Sequence, residues 1–141
     1  MLVDANLLLF AVDSTSPFHA PSQDWLTEQL NGPRRIGLPW QSLGAFVRIS
    51  THPRVSEHPL TAERAWEYIE AWLDAEAAWT PVPGERHAEI LGDLVRRHHV
   101  TGNLVPDAQL AALAIEHGVA ICSADTDFAR FDGVTWINPV A

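Results

Sequence analysis

The chain has 141 residues, 47% hydrophobic and 19% charged, a balance that supports one packed domain and excludes a disordered polyelectrolyte. Its formal net charge of −9 disfavours broad electrostatic binding of nucleic acid, yet all nine basic residues are Arg, the side chain better matched to bidentate phosphate contacts. No apolar run approaches a membrane span, no basic segment leads into an apolar one as in a secretory leader, and Cys122 is alone, so a cytoplasmic protein with a buried, reduced thiol is expected.

The chain opens on Met1-Leu2-Val3, an apolar run that stops at Asp4. With Leu7-Leu8-Leu9-Phe10 after it, this predicts a buried strand feeding a helix over residues 6–12. The strand's carboxyl end, where open α/β sheets form their ligand crevice, then carries a carboxylate. Asp4 either caps the next helix or binds something. Asp13-Ser14-Thr15-Ser16-Pro17 closes the first helix, and a second starts between Phe18 and Pro21 and ends at Leu30, before Asn31-Gly32-Pro33. Ile36-Gly37-Leu38 predicts a brief second strand ended by Pro39. Trp40, Leu43, Phe46, Val47 and Ile49 mark an amphipathic helix over residues 40–50, broken by Thr51-His52-Pro53-Arg54.

Thr61 is the expected N-cap of the strongest helix. Trp66, Ile69 and Leu73 are assigned to one apolar stripe and Tyr68, Trp72 and Trp79 to a second, with Glu63, Glu67, Glu70 and Asp74 on a solvated face. The Trp-rich side reads as core, a dimer or partner surface being the alternative. A third strand is placed around Pro81-Val82-Pro83-Gly84. A helix over residues 85–99 turns Ile90, Leu91, Leu94 and Val95 inward and ends in Arg96-Arg97-His98-His99. After a loop at Thr101-Gly102-Asn103, Pro106 and Asp107 enter the first turn of a helix that buries Leu110, Leu113, Ala114 and Ile115 and stops at Gly118. Residues 119–123 form a core strand, Ala124-Asp125-Thr126-Asp127-Phe128 turns into a short helix, Asp132-Gly133 is a turn, and Val134-Thr135-Trp136-Ile137 is the last strand. Strands alternating with helices predict an α/β fold around a mostly parallel sheet, in a single domain over residues 1–141.

Two strands therefore end in acids. If they are parallel neighbours, Asp4, Asp125 and Asp127 share one sheet edge, and Asp107 reaches it only if its loop folds over. Each acid also has an ordinary role: Asp107 complements the positive end of its helix, while Asp125 and Asp4 cap helices. As a group they demand more. Like charges about 4 Å apart repel by roughly 4 kcal/mol at an effective dielectric near 20. A convergent set needs a cation, a raised pKa or Arg partners. Without Lys or a Cys/His ligand spacing, hard oxygen donors suit Mg²⁺ or Mn²⁺ rather than zinc, and such an ion activates water and stabilises charge on a phosphoryl group.

Val3-Asp4-Ala5-Asn6, Asp107-Ala108-Gln109-Leu110-Ala111-Ala112-Leu113-Ala114 and Ser123-Ala124-Asp125-Thr126-Asp127-Phe128 resemble the acidic motifs of PIN domains, most closely those of VapC-type toxins from bacterial toxin–antitoxin pairs. The resemblance extends through Thr51-His52-Pro53-Arg54, Gly102-Asn103-Leu104 and Trp136-Ile137-Asn138-Pro139. It implies a three-layer α/β/α sandwich and an endoribonuclease dependent on Mg²⁺ or Mn²⁺, often a homodimer and held inactive by a VapB-like antitoxin. It assigns Asp4, Asp107 and Asp125 to the family's acidic cluster and Asp127 to a frequent further acid, all four as candidate metal ligands with Asp4 and Asp107 holding the ion, and Asn6 to a polar residue supporting the catalytic site. The family's usual Glu on the helix over residues 40–50 falls at Ala45, and Gln41, Ser42 and Gly44 supply no acid. That departure leaves open a PIN-like module that binds RNA or protein with cleavage weakened or lost. Arg48, His52, Arg54, Arg96 and Arg97, with His98 and His99, are the candidate RNA contacts, although cations at residues 96–99 also suit a helix C-terminus. A haloacid-dehalogenase phosphatase, the remaining rival, wants a second Asp where this chain has Asn6, and usually a Lys.

Overall fold

Leu2–Val3 (β1) lies at the centre of a five-stranded sheet in the computed structural model, which describes residues 1–141. Beside it lie Ile36–Gly37 (β2) and Ile121–Cys122 (β4), and Ala78–Trp79 (β3) and Trp136–Ile137 (β5) form the edges, in the order β3-β2-β1-β4-β5. Every pairing is parallel. The helices are Ala5–Val12 (α1), His19–Leu30 (α2), Trp40–Ser50 (α3), Ala62–Asp74 (α4), His87–Arg97 (α5) and Val105–His117 (α6).

Successive strand residues point to opposite faces, and the two hydrophobic clusters divide on that rule. Leu2 and Ile121 join Ile90, Leu94, Leu110 and Phe128 under α5 and α6. Val3 and Cys122 join Leu7, Leu8, Leu43, Phe46 and Trp72 under α1 to α4. This is the expected three-layer sandwich. Ala108, Ala111, Ala112 and Ala114 keep α6 close to the sheet, and Gly118, at a left-handed φ of 67°, ends it where a side chain would be strained. At Gly37 a Cβ would fall 2.5 Å from Leu2 Cδ2, so β2 approaches β1 through a bare backbone. Cys122 is fully buried, which pushes its thiol pKa up to about 11, the inert thiol anticipated. No helix is long and apolar enough to cross a membrane.

The structure revises several placements. The third strand is Ala78–Trp79 rather than the Pro81–Gly84 region. Ile36 and Leu38 donate to the Ala77 and Trp79 carbonyls, a ladder that Pro81 and Pro83 could not extend with N–H groups of their own. α5 is shorter than the expected span over 85–99. Glu116 holds the Gly84 and Arg86 N–H groups before it starts, and His99 adopts a left-handed φ of 51° after it ends. The Thr101-Gly102-Asn103 loop contributes to a 3-10 turn over Gly102–Leu104 that runs directly into α6. On α4 the buried residues are Ala65, Ile69 and Trp72, an i, i+4, i+7 set that leaves Trp66 on the outside. Trp79 belongs to β3, under the Arg35 guanidinium, and not to the helical stripe.

Candidate metal centre

Val3 pairs with Cys122, so the next residues of β1 and β4, Asp4 and Ser123, emerge side by side at the carboxyl edge of the sheet. Asp4 is the N-cap of α1, its Oδ1 accepting from the Ala5 N–H at 2.8 Å. Its Oδ2 accepts from the Ser123 hydroxyl at 2.7 Å and from the Asn6 amide at 3.4 Å. Ser123 Oγ also accepts from Asn6 Nδ2 and from the Asp125 N–H, both at 3.0 Å, and Asn6 Oδ1 accepts from the Ala124 N–H. Asp125 in turn caps the short turn Thr126–Arg130 by accepting from the Asp127 N–H at 2.9 Å. The cap and edge-acid alternatives are therefore not exclusive: capping aims these carboxylates.

Asp107 completes the group. It lies in the first turn of α6, which begins at this edge and returns the chain to β4. One oxygen from each of Asp107, Asp125 and Asp127 falls within 4.8 Å of the others, and all three residues are half-buried. Asp107 accepts no side-chain or backbone hydrogen bond. Its carboxyl pKa is pushed up to about 6, first by partial burial and then by the charges of Asp125, Asp4 and Asp127, with Arg130 pulling the other way. Asp4 stands outside the trio, its oxygens drawn into the Ser123–Asn6 network; burial raises its pKa despite those bonds.

Two residues at this edge escaped the reading of the sequence. Ser123 is fully buried at the end of an apolar strand, and a buried hydroxyl that must find partners was the available signal. Arg130 places a guanidinium nitrogen 3.3 Å from Asp127 Oδ1, three residues along the same turn.

The basic candidates divide. Arg48 and Arg54 are exposed and form no salt bridge, and His52 Nδ1 accepts from the Arg54 N–H, which fixes that turn. Arg97 is committed to Asp93 at 2.7 Å and Asp132 at 3.5 Å, and His98 lies 3.9 Å from Asp132. Arg96 and His99 are exposed at the same helix end. On α3, Gln41 Nε2 donates to the Pro106 carbonyl at 2.7 Å, joining the start of α3 to the start of α6. Ala45, half-buried one turn further along, brings no carboxylate.

A parallel sheet in this strand order, with acids from β1, β4 and the start of α6 at one edge, agrees with the sequence comparison: the PIN-domain signature matches residues 1–134. The chain belongs to the PIN-domain family. Ribonuclease VapC37 of Mycobacterium tuberculosis is 46% identical over 140 residues, covering 99% of this chain and 97% of that protein. Ribonuclease VapC33 of the same species is 38% identical, with 99% and 98% covered. Among solved structures, this PIN domain is similar to VapBC2 from Rickettsia felis bound to a promoter DNA fragment (TM-score 0.65, 13% identity, 97% and 96% covered) and to FitAcB from Neisseria gonorrhoeae (0.67, 19%, 98% and 96%). At such low identity these two establish the fold alone, and the same PIN fold is seen here.

Proposed function

We propose that this PIN domain is a metal-dependent endoribonuclease, the toxin half of a toxin–antitoxin pair, in which Asp107, Asp125 and Asp127 hold a Mg²⁺ or Mn²⁺ ion and Asp4 and Asn6 support them. The observation that carries the reading is the convergence of three half-buried carboxylates at the sheet edge of a chain 46% identical to a protein named a ribonuclease. The donor set fits the ion, being oxygen-only and without nearby Lys or thiolate. A bound divalent ion supplies an activated water and neutralises charge developing on a phosphodiester.

The chain's own residues do the rest. Asp107, with no donor of its own and a pKa near 6, is free to direct both oxygens inward as it ionises. Ser123 and Asn6 fix the Asp4 carboxylate in one rotamer and leave Asp125 aimed by its capping bond. Arg130, exposed beside Asp127, offers N–H donors to a phosphate oxygen, and Arg48, His52 and Arg54 extend that contact along the strand of RNA. The likeness to VapBC2, solved bound to a DNA fragment from its promoter, and to FitAcB supports a VapB-like antitoxin as the partner that restrains the site. A module with cleavage lost at Ala45 is the weaker reading, because the trio assembles without an acid there.

The test is cleavage of structured RNA in Mg²⁺ or Mn²⁺. Chelator should abolish it and Asp125→Asn should remove it with the fold intact by circular dichroism. Cleavage that persists in chelator would overturn the proposal.

A further inference from the structure

Of the six tryptophans only Trp40 and Trp66 are exposed, at 49% and 45%. They are stacked, with ring centroids 6.3 Å apart and planes 14° from parallel. Their place in the fold matters. Trp40 is the first residue of α3, reached from β2 through Leu38 and Pro39, so it stands at the same carboxyl edge as Asp4 and Ser123, one strand over. Its neighbour Gln41 donates to the carbonyl of Pro106, the residue before Asp107. The start of α3, where Trp40 sits, therefore lies beside the start of α6, where Asp107 sits.

We propose that the Trp40–Trp66 pair is a stacking platform for an unpaired base of the RNA substrate, flanking the phosphate presented to the acidic trio. Along the exposed side of α3, Trp40 is followed by Gly44, where an added Cβ would meet nothing within 4 Å, and then by Arg48. One face of α3 thus offers a stacking surface at Trp40, open space at Gly44 and, about 12 Å along the helix, a guanidinium without a salt bridge that suits a phosphate further along the strand. The chemistry suits a chain of net charge −9 with no Lys: stacking on a π-face needs no positive charge, tolerates any base, and holds a strand beside carboxylates that repel its phosphates. The inference rests on the ribonuclease reading and names what positions the substrate.

The experiment measures binding of a short, labelled single-stranded RNA of mixed sequence by anisotropy in chelator, over a series of salt concentrations, and cleavage of the same RNA in Mg²⁺. Trp40→Ala should weaken binding about tenfold, within the range for one base–aromatic stack, with the salt slope unchanged. It should raise KM and leave kcat near the wild-type value, and Trp40→Phe should restore most of the affinity. Arg48→Gln should instead flatten the salt slope by about one ion. Wild-type affinity and KM in Trp40→Ala, or a loss accompanied by a fall in sedimentation mass that marks the surface as a contact between copies, would overturn the platform alone. A wild-type chain that neither binds nor cleaves RNA would remove the ribonuclease reading and the platform with it.

Discussion

Helix α6 carries an acid near each end, and the two have opposite fates. Asp107, in the first turn, faces the positive end of the helix dipole, which favours a carboxylate by about 0.3–1 kcal/mol. Its pKa is nonetheless raised, because burial and three neighbouring aspartates outweigh the dipole. Glu116, in the last turn, faces the negative end, yet its pKa is lowered, because it accepts from the Gly84 N–H at 2.8 Å and the Arg86 N–H at 3.0 Å and stands beside His87 and His117. Neighbours, not the helix, decide both. The lesson is one of satisfaction. Glu116 has a backbone N–H donor on each oxygen and serves as a latch for residues 84–86, whereas Asp107 has no donor on either.

That contrast breaks most visibly on substitution. Asp107→Asn should lower kcat in Mg²⁺ by about a thousandfold, the scale of several kcal/mol of lost stabilisation, and weaken divalent binding measured by calorimetry. In chelator the same variant should melt at a higher temperature, since a repelling charge has gone. Glu116→Gln should do the reverse, keeping kcat within about twofold, as a site a helix length away requires, while lowering the melting temperature in chelator and in Mg²⁺ alike. A destabilised, metal-competent Asp107→Asn would make Asp107 a structural acid and erase the distinction.

The pH dependence of metal-free stability sharpens it. Asp107 titrates near 6 in the folded chain, above the ordinary 3.8, so the folded state binds more protons between those values and stability falls as pH rises through that window. Glu116 is held below its ordinary 4.5, so its contribution is complete above that value and is lost as pH falls below it. Urea titrations from pH 3 to 7 should give a maximum between the two regimes. Asp107→Asn should flatten the upper limb and Glu116→Gln the lower. A wild-type curve that keeps rising from about pH 4 to 6 would contradict the raised pKa of Asp107.

Much of this edge was legible from residue order alone. Apolar runs ending at Asp4 and before Asp125, with Asp107 in a Pro-initiated first turn, announce both the parallel sheet and the acids at its end, because strand direction and helix caps are local properties. What was not legible depends on distances that no periodicity encodes. Asp4 stands apart from the trio with Ser123, the residue after β4, donating to one of its oxygens and the Ala5 N–H to the other. Trp66 turns outward because α4 docks through Ala65, Ile69 and Trp72, a choice made by the partner helices and not by hydrophobicity, which Trp66 shares. Gln41 fills the vicinity of the missing acid through a bond to a carbonyl 65 positions away, invisible to any local pattern.

Arg130 gives the smallest effect and the finest test. Its guanidinium is more than half exposed and lies 3.3 Å from Asp127, so the pair contributes about 0.2–1 kcal/mol at most, less at high salt. Arg130→Gln should therefore barely move the urea midpoint. It should still raise the Asp107 pKa further in chelator, followed by carboxyl NMR, because the one charge opposing the three aspartates has been removed. Glu116 should titrate as before, since its donors are backbone groups of residues 84 and 86. An Asp107 pKa unmoved by Arg130→Gln would mean that the guanidinium charge does not reach the trio and that burial and the neighbouring carboxylates alone set it.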